Sequence, residues 1–225
     1  MKIVIQCASK KLPDAGRMKN KDGKAVSLVA KLTPTSTGIC VLPDAPVDST
    51  GVTWRQQLLD YNANYCETGE NPLGLVPAAS LYTPPAYAQL RRHFEPKDIF
   101  ILSAGWGLVR GDFLLPDYDI TFSKNPNVAK ESRRSARDKD WHDFNQLTQA
   151  DIGGESLHFF GSVEYLKLFY QLLNRLDVGP SEQVVIHHKV NTAPRSGYRY
   201  EQYMGDVSTN WQYKALGDHL KTLSA

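Results

Sequence analysis

The sequence contains little cysteine and no long apolar run. Its 225 residues include only three cysteines, Cys7, Cys40 and Cys66, which are widely spaced and form no CxxC pair. An odd, scattered set of thiols favours neither a disulfide framework nor a cysteine-rich zinc site. The apolar runs hold only a few residues, far short of the ~20 that a membrane-spanning helix needs. We therefore expect reduced thiols and no membrane partner.

Neither sign of charge is in clear excess. The chain has 26 Lys and Arg against 24 Asp and Glu, a net charge of +2, which does not by itself indicate a polyanionic partner. A nucleic-acid surface would have to come from where the basic residues lie. The first residues, MKIVIQCASKK, lack the long apolar core and the small-residue cleavage site of a signal peptide, so we expect a cytoplasmic location.

Several motifs for cofactors and metals are missing. The sequence has no GxGxxG and no Walker A pattern, which counts against dinucleotide cofactors and ATP, and it also lacks GxSxG and HExxH. His187 and His188 are neighbours on a predicted strand, so their side chains point to opposite faces and do not readily share one ion. The sequence therefore predicts neither a cofactor nor a metal.

Short apolar strands alternate with amphipathic helices. Strands are predicted at 2–8, 98–104, 156–161 and 183–188, with shorter ones within 24–50. Helices are predicted after Thr53, after Pro84, around Trp141, Phe144 and Leu147, at 162–176 and from Ser208. Residues 105–123 read as an ordered loop. This alternation predicts one compact α/β domain around a mainly parallel sheet.

The carboxyl ends of these strands carry polar residue types that suit a ligand site, and ligands of parallel α/β sheets bind at that edge. Cys7, Ser9 and Lys10 follow the first strand. Gly161 opens the turn GSVEYL, whose backbone N–H groups can hold a phosphate or a carbonyl oxygen. Two interpretations of the first segment stay open. Its side chains bind a ligand, or Lys10 and Lys11 are solvated and Cys7 is a buried core thiol.

Residues 103–119 hold the most distinctive groups. In LLPDYDITF, Asp117 and Asp119 flank Tyr118 on an apolar loop. A carboxylate in such surroundings can serve as a base or stabilise a developing cation. Alternatively, one of the two aspartates caps a turn and the other is solvated, and neither has a catalytic role. Trp106 precedes Gly107 and either stacks on a planar ligand or belongs to the core.

Basic residues cluster in two stretches. The first holds Lys130, Arg133, Arg134, Arg137 and Lys139, and the second holds Lys189, Arg195 and Arg199 next to Tyr198, Tyr200 and Tyr203. Guanidinium groups bind phosphates and aromatic rings stack on bases, so the pattern suits nucleic acid. A solvated helix face, offset by nearby acidic residues, explains it equally well.

Five segments together resemble the YaaA-like superfamily. They are VIQCASKKL, LYTPPAYAQLR, FILSAGWGLVRGDFLLPDYDITF, FFGSVEYL and, more loosely, GYRYEQYMGDVSTNWQYKAL. In the third segment Ser103, Gly107, Leu108, Tyr118 and Asp119 match the family pattern, whereas Asp117 stands where the family has proline. Residues 19–75 and 124–140 have no match, which suggests an inserted segment near the N-terminus at about 19–75.

The resemblance implies a compact α/β domain with a cleft, DNA binding and, in some members, removal of modified bases from DNA. The expected function is a DNA glycosylase that flips out a modified or damaged base, such as one carried by phage DNA. Asp119 would stabilise the cationic sugar, with Tyr118 and Ser103 beside it. The ligand-binding residues would be Cys7, Ser9, Lys10, Tyr82, Trp106, Gly107, Phe160 and Gly161.

Two alternatives remain. One is a non-enzymatic DNA-binding stress protein in which the acidic loop is structural. The other is an N-glycosidase that acts on free nucleosides or nucleotides, in a cleft too narrow for a polymer.

Overall fold

The computed structural model describes residues 1–32, 38–122, 131–133, 141–176, 179–189, 194–207 and 209–223. The strands are β1 (Lys2–Gln6), β2 (Ser27–Leu28), β3 (Cys40–Val41), β4 (Val76–Pro77), β5 (Ile99–Ser103), β6 (Gly107–Arg110), β7 (Leu114–Leu115), β8 (Ile120–Thr121), β9 (Glu131–Ser132), β10 (Phe144–Asn145), β11 (Leu157–Phe160), β12 (Val184–His188) and β13 (Arg199–Gln202). The helices are α1 (Trp54–Thr68), α2 (Ala78–Leu81), α3 (Pro85–His93), α4 (Gln149–Gly153), α5 (Val163–Asn174) and α6 (Trp211–Leu223), with a 3-10 turn at Pro96–Asp98.

Seven of the described strands form one sheet in the order β10-β6-β5-β1-β11-β12-β13, and the others pair as β2-β3, β4-β7 and β8-β9. The five strands from β5 to β13 are parallel, with Ile5 beside Ile101 on one side and beside Phe160 on the other. The central strand β1 is apolar and buried along Ile3, Val4 and Ile5, as expected for a parallel strand covered on both faces. The predicted α/β class with a mainly parallel sheet is confirmed.

Two strands at one edge run in the opposite direction. β6 pairs antiparallel with β5, and β10 pairs parallel with β6. The reversal occurs at Gly107, whose φ of 88° lies in the left-handed region that favours glycine. The expectation of a loop over 105–123 is therefore wrong for 107–110, and that of a helix around 141–147 is wrong because Phe144 and Asn145 extend the sheet.

Helices cover both faces of the sheet. Residues alternate between faces along a strand, so Phe159 stacks on Phe169 of α5 at 4.8 Å while Phe160 lies 5.7 Å from the ring of His219 in α6. The predicted starts of two helices are confirmed. The Thr53 side chain accepts a hydrogen bond from the Gln56 N–H at the start of α1, and Pro85 begins α3.

Described residues of the segment 19–75 pack against this core. Leu28, Trp54 and Leu58 are buried. Arg55 of α1 donates to the carbonyl oxygens of Gly105 and Trp106, at 3.1 and 3.2 Å, so the segment fixes the turn between β5 and β6. That the segment is an insertion stays a prediction.

None of the described helices combines the length and the apolar character that crossing a membrane requires.

Candidate functional site

A cavity of about 360 Å³ opens at the carboxyl edge of the parallel strands. Four segments line it: the end of β1 and the residues after it, from Gln6 to Ser9; β8 with Phe122; the start of α5; and the start of α6. Its volume lies within the roughly 300–1,000 Å³ of small-molecule sites. The location is the edge at which parallel α/β sheets bind ligands.

Two helices begin at this cavity. Within the described residues the side chain of Ser162, the N-cap of α5, makes no capping hydrogen bond, and its N–H donates to Gln6 Oε1 at 2.6 Å. Asn210, just before α6, has a φ of 56° and lines the cavity together with Thr209. The first N–H groups of a helix carry partial positive charge. Both helix starts therefore favour a ligand with negative charge.

Glu164 is the one acidic side chain among the described residues that line the cavity. It is the second residue of α5, and its Oε1 accepts a hydrogen bond from Lys167 Nζ at 2.6 Å. An acidic side chain is electrostatically favourable in the first turn of a helix, and so is its pairing with a lysine three residues later. The cavity thus holds a carboxylate that can stabilise a nearby cation or orient a water.

An aromatic pair and a thiol complete the walls. The rings of Phe122 and Tyr165 meet edge to face at 4.9 Å. Tyr165 Oη lies 3.1 Å from Cys7 Sγ, and the Tyr213 hydroxyl donates to the Cys7 carbonyl at 3.0 Å. Burial raises the pKa of Tyr213 to about 12 and raises the pKa of Tyr165 as well. Both phenols therefore stay protonated at neutral pH.

The residues predicted to bind a ligand after β1 and after β11 do not all line the cavity. Cys7 and Ser9 line the cavity. Lys10 is exposed beside it, and its carbonyl accepts from the Thr83 N–H at 3.2 Å. Gly161 is buried, and a Cβ at this position would lie 2.5 Å from Phe159 Cζ. Packing alone accounts for the glycine.

Ser103 and Tyr118 belong to a buried hydrogen-bond chain. Ser103 Oγ donates to Tyr118 Oη at 2.8 Å and accepts from the N–H groups of Gly105 and Trp106 at 3.1 Å. Tyr118 Oη also lies 2.7 Å from Tyr82 Oη. Neither Ser103 nor Tyr118 is among the described residues that line the cavity. These hydrogen bonds hold the turn after β5 in place.

Asp119 does not supply the cavity carboxylate. Its side chain is exposed, and its N–H donates to the Leu28 carbonyl at 2.8 Å. The next residue, Ile120, lines the cavity, and neighbouring residues of an extended segment point in opposite directions. Asp119 is therefore not among the described residues that line this cavity, and its expected role beside a bound sugar stays a prediction.

The predicted stacking residues are core residues. Trp106 and Phe160 are 0% exposed, and Tyr82 is buried as well. The Trp106 ring stacks on Phe144 at 6.1 Å, and Phe160 stacks on His187 at 4.0 Å. These rings cannot receive a base without unpacking the core, which corrects the expectation. Gly107 likewise serves the chain reversal between β5 and β6.

Basic residues predicted to bind nucleic acid are partly engaged inside the protein. Arg133 is 2% exposed and forms two hydrogen bonds with Asp143, each 2.8 Å long; its expected place on a surface is corrected. Lys189 Nζ donates to the carbonyls of Gly205 and Val207.

Arg195 and Arg199 are exposed. The Arg195 guanidinium lies 4.0 Å from the ring centre of Tyr170, and Arg199 pairs with Glu201 at 2.5 Å. The remaining predicted phosphate-binding residues lie outside the described residues; they are Lys130, Arg134, Arg137 and Lys139.

Sequence reasoning missed the carboxylate of this site, although its signal was present. Glu164 lies in the segment GSVEYL, four residues after the end of β11, where the start of α5 brings its side chain to the carboxyl edge. Tyr213 and Asn210 carried no such signal, because they reach the cavity only through the packing of α6.

Comparison with known proteins gives no relative. No family model, no curated protein and no solved structure matches this chain. The resemblance to the YaaA-like superfamily stays a prediction that the quoted segments carry.

Proposed function

We propose that this chain hydrolyses the N-glycosidic bond of one nucleotide unit held in the carboxyl-edge cavity. The observation that carries the proposal is the Glu164 carboxylate in a cavity where two helices begin. A phosphate group of the ligand would lie at a helix start, the base against Phe122 and Tyr165, and the sugar beside Glu164.

The chemistry needs a negative charge next to the anomeric carbon. As the C1′–N bond breaks, its electron pair leaves with the base and the sugar becomes cationic. A carboxylate beside C1′ stabilises that cation and orients the attacking water. The water oxygen bonds to C1′, one water proton passes to the departing base, and the products are the free base and a sugar with a hydroxyl at C1′.

DNA is the proposed carrier of that nucleotide, as the resemblance to the YaaA-like superfamily implies. The cavity volume suits one nucleotide unit and not a duplex, so the target base would have to leave the stack. The energetic cost of that step is a few kcal/mol, and it is lowest for a damaged or unpaired base.

The hydrogen bonds that two basic side chains make within the protein favour a second candidate function, an N-glycosidase that acts on free nucleosides or nucleotides. Arg133 and Lys189 use their side chains within the protein, which leaves fewer cations for a phosphate backbone in the described part of the chain. A free nucleoside or nucleotide needs no such surface. The same carboxylate and cavity would then act on a small molecule.

Product analysis on two substrate classes tests the proposal. DNAs that carry different modified bases, and matching free nucleosides and nucleotides, are incubated with the protein, and free base is measured by mass spectrometry. Abasic sites are detected by alkaline cleavage. Free base from DNA supports the glycosylase, free base from monomers alone supports the second candidate, and no base from either class refutes the proposal.

Glu164→Gln tests the role of the carboxylate. The amide has nearly the same shape but no charge, so we expect turnover to fall by roughly 10²–10³-fold with little change in substrate affinity. Glu67→Gln on the exposed face of α1 is the matched control and should keep full turnover. Loss of activity in Asp119→Asn but not in Glu164→Gln would assign the reaction to the loop carboxylate instead.

A further inference from the structure

Three histidines meet on the sheet face beneath α6, away from the residues that line the carboxyl-edge cavity. His158 comes from β11, His187 from β12 and His219 from α6. One ring nitrogen from each lies within 4.8 Å of the other two. His158 and His187 are buried.

Parallel pairing brings the first two together. Phe160 lies beside His187 in the sheet register, and His158, two residues earlier, shares the face of Phe160. The side chain of His188 points away from this face and its Nδ1 lies 3.1 Å from the Lys189 carbonyl. The neighbouring pair His187 and His188 therefore does not form a site, whereas His187 meets histidines from other elements.

The nitrogens that face one another are short of hydrogen-bond partners. His158 Nδ1 lies 3.0 Å from His187 Nε2, so two ring nitrogens share one proton. His219 Nε2 is a buried atom with no hydrogen-bond partner among the described residues. A buried polar atom without a partner is costly, and native structures contain few of them.

We propose that His158, His187 and His219 bind a divalent transition-metal ion, through Nδ1 of the first and Nε2 of the other two. Neutral imidazole is the commonest metal ligand in proteins and suits Zn²⁺, Cu²⁺, Ni²⁺ and Fe²⁺. Two nitrogens that each lie ~2.0–2.1 Å from one tetrahedral ion are roughly 3.3 Å apart. The 3.0 Å separation between His158 and His187 is close to that value.

An oxygen atom lies near the outer nitrogen of two of these rings. His158 Nε2 lies 3.2 Å from Ser156 Oγ, and His187 Nδ1 lies 3.6 Å from Glu201 Oε2. Ligating histidines usually direct their other N–H to a carboxylate or another oxygen. On metal binding the shared proton moves to an outer nitrogen of its own ring, so each imidazole keeps one N–H and no proton is released.

The proposed site links α6 to two strands of the sheet. Three protein nitrogens leave one position of a tetrahedral ion for water. The ion would hold α6 in place, and α6 in turn contributes Tyr213 to the carboxyl-edge cavity. The inference is independent of the reaction proposed for that cavity.

Metal uptake by the full chain tests the inference. The untagged protein is treated with a chelator, desalted and titrated with Zn²⁺ or Co²⁺. We expect the protein to bind one ion per chain and to melt at a higher temperature with the metal than without it. The absorption spectrum of the Co²⁺ form should be that of a cobalt ion with a low coordination number. Failure of the wild-type chain to bind either ion overturns the proposal.

Single substitutions identify the ligands. His219→Gln, the least buried of the three positions, should lose stoichiometric uptake while its circular dichroism without metal matches the wild type. Glu201→Gln should lower the affinity by roughly 10–100-fold. His188→Gln removes a histidine from the same strand outside the cluster and should bind as the wild type does. Equal loss in His188→Gln, or full uptake in His219→Gln, would contradict the assignment.

Discussion

Arg133 and Asp143 form an ion pair that is almost completely closed to solvent. The guanidinium also donates to the Ala104 carbonyl at 3.2 Å and lies 4.4 Å from the ring centre of Trp141. Each charge of such a pair depends on the other, since an unpaired charge in the interior loses its hydration without compensation. This residue is therefore part of the framework behind the turn after β5.

Arg133→Met tests that structural role. The substitution keeps much of the side-chain volume but leaves the Asp143 carboxylate buried and unpaired, so we expect the free energy of unfolding to fall by roughly 3–5 kcal/mol. Urea denaturation followed by circular dichroism measures it. Arg199→Met removes the exposed partner of Glu201 and should cost about 1 kcal/mol or less. Equal losses in both variants would show that the buried pair has no special weight.

Side-chain types were predictable from the sequence, but their partners were not. Two carboxylates flank Tyr118 and predict a functional acidic loop, yet Asp119 is exposed and it is Glu164 that lines the cavity. Arg133 stands in a stretch rich in arginine, and nothing local distinguishes it from an exposed neighbour. Its partner Asp143 is ten residues away in the chain, and only the packed core brings the two together.

At the level of elements, local apolar runs were informative. β1, β5, β11 and β12 are short, apolar and bounded by turn residues, so their positions follow from pattern alone. Trp141, Phe144 and Leu147 have helical spacing, and yet Phe144 lies in β10. Its N–H donates to the Trp106 carbonyl at 2.8 Å. A pairing partner so distant in sequence overrides a local period.

The reversal between β5 and β6 depends on Gly107. Its φ is 88°, and a Cβ at this position would lie 2.6 Å from the Phe144 nitrogen. Gly107→Ala should therefore lower the free energy of unfolding by about 2 kcal/mol or more, from backbone strain and from the displaced β10. Thermal and urea unfolding measure the loss.

Gly153 offers the matched control for that substitution. It ends α4, and a Cβ there would meet no atom within 4 Å. Gly153→Ala should be neutral or should stabilise the protein by about 0.5–1 kcal/mol, because alanine loses less backbone entropy on folding. A Gly107→Ala variant as stable as the wild type would show that the turn tolerates a side chain.

At the scale of the molecule, the candidate site is a product of topology. Parallel strands bring the segments after β1 and β11 to one edge, and this much the sequence predicted. The starts of α5 and α6 complete the cavity, and α6 reaches it from the other end of the chain. The same helix places His219 beside His158 and His187, so both proposed sites depend on the packing of α6 against the sheet.

The histidine cluster also makes the stability of the whole fold depend on pH. Burial, with a smaller contribution from the charge of His219, lowers the pKa of His158 from 6.5 to about 4. Burial likewise lowers the pKa of His187 and of His219. All three rings are therefore neutral in the folded protein at neutral pH, whereas the unfolded chain binds protons to them below about pH 6.5.

The sign follows from proton linkage. Between about pH 6.5 and pH 4 the unfolded state holds more protons than the folded state, so acid lowers the free energy of unfolding by up to about 1.4 kcal/mol per pH unit for each such histidine. Urea denaturation across this range, with a chelator present, measures the slope. His158→Gln should make the dependence of the free energy of unfolding on pH less steep, because the glutamine takes up no proton on unfolding. The carboxylates titrate equally in both proteins and do not contribute to the difference. His188→Gln should keep the wild-type slope, and an unchanged slope in His158→Gln would mean that its ring accepts a proton inside the folded protein.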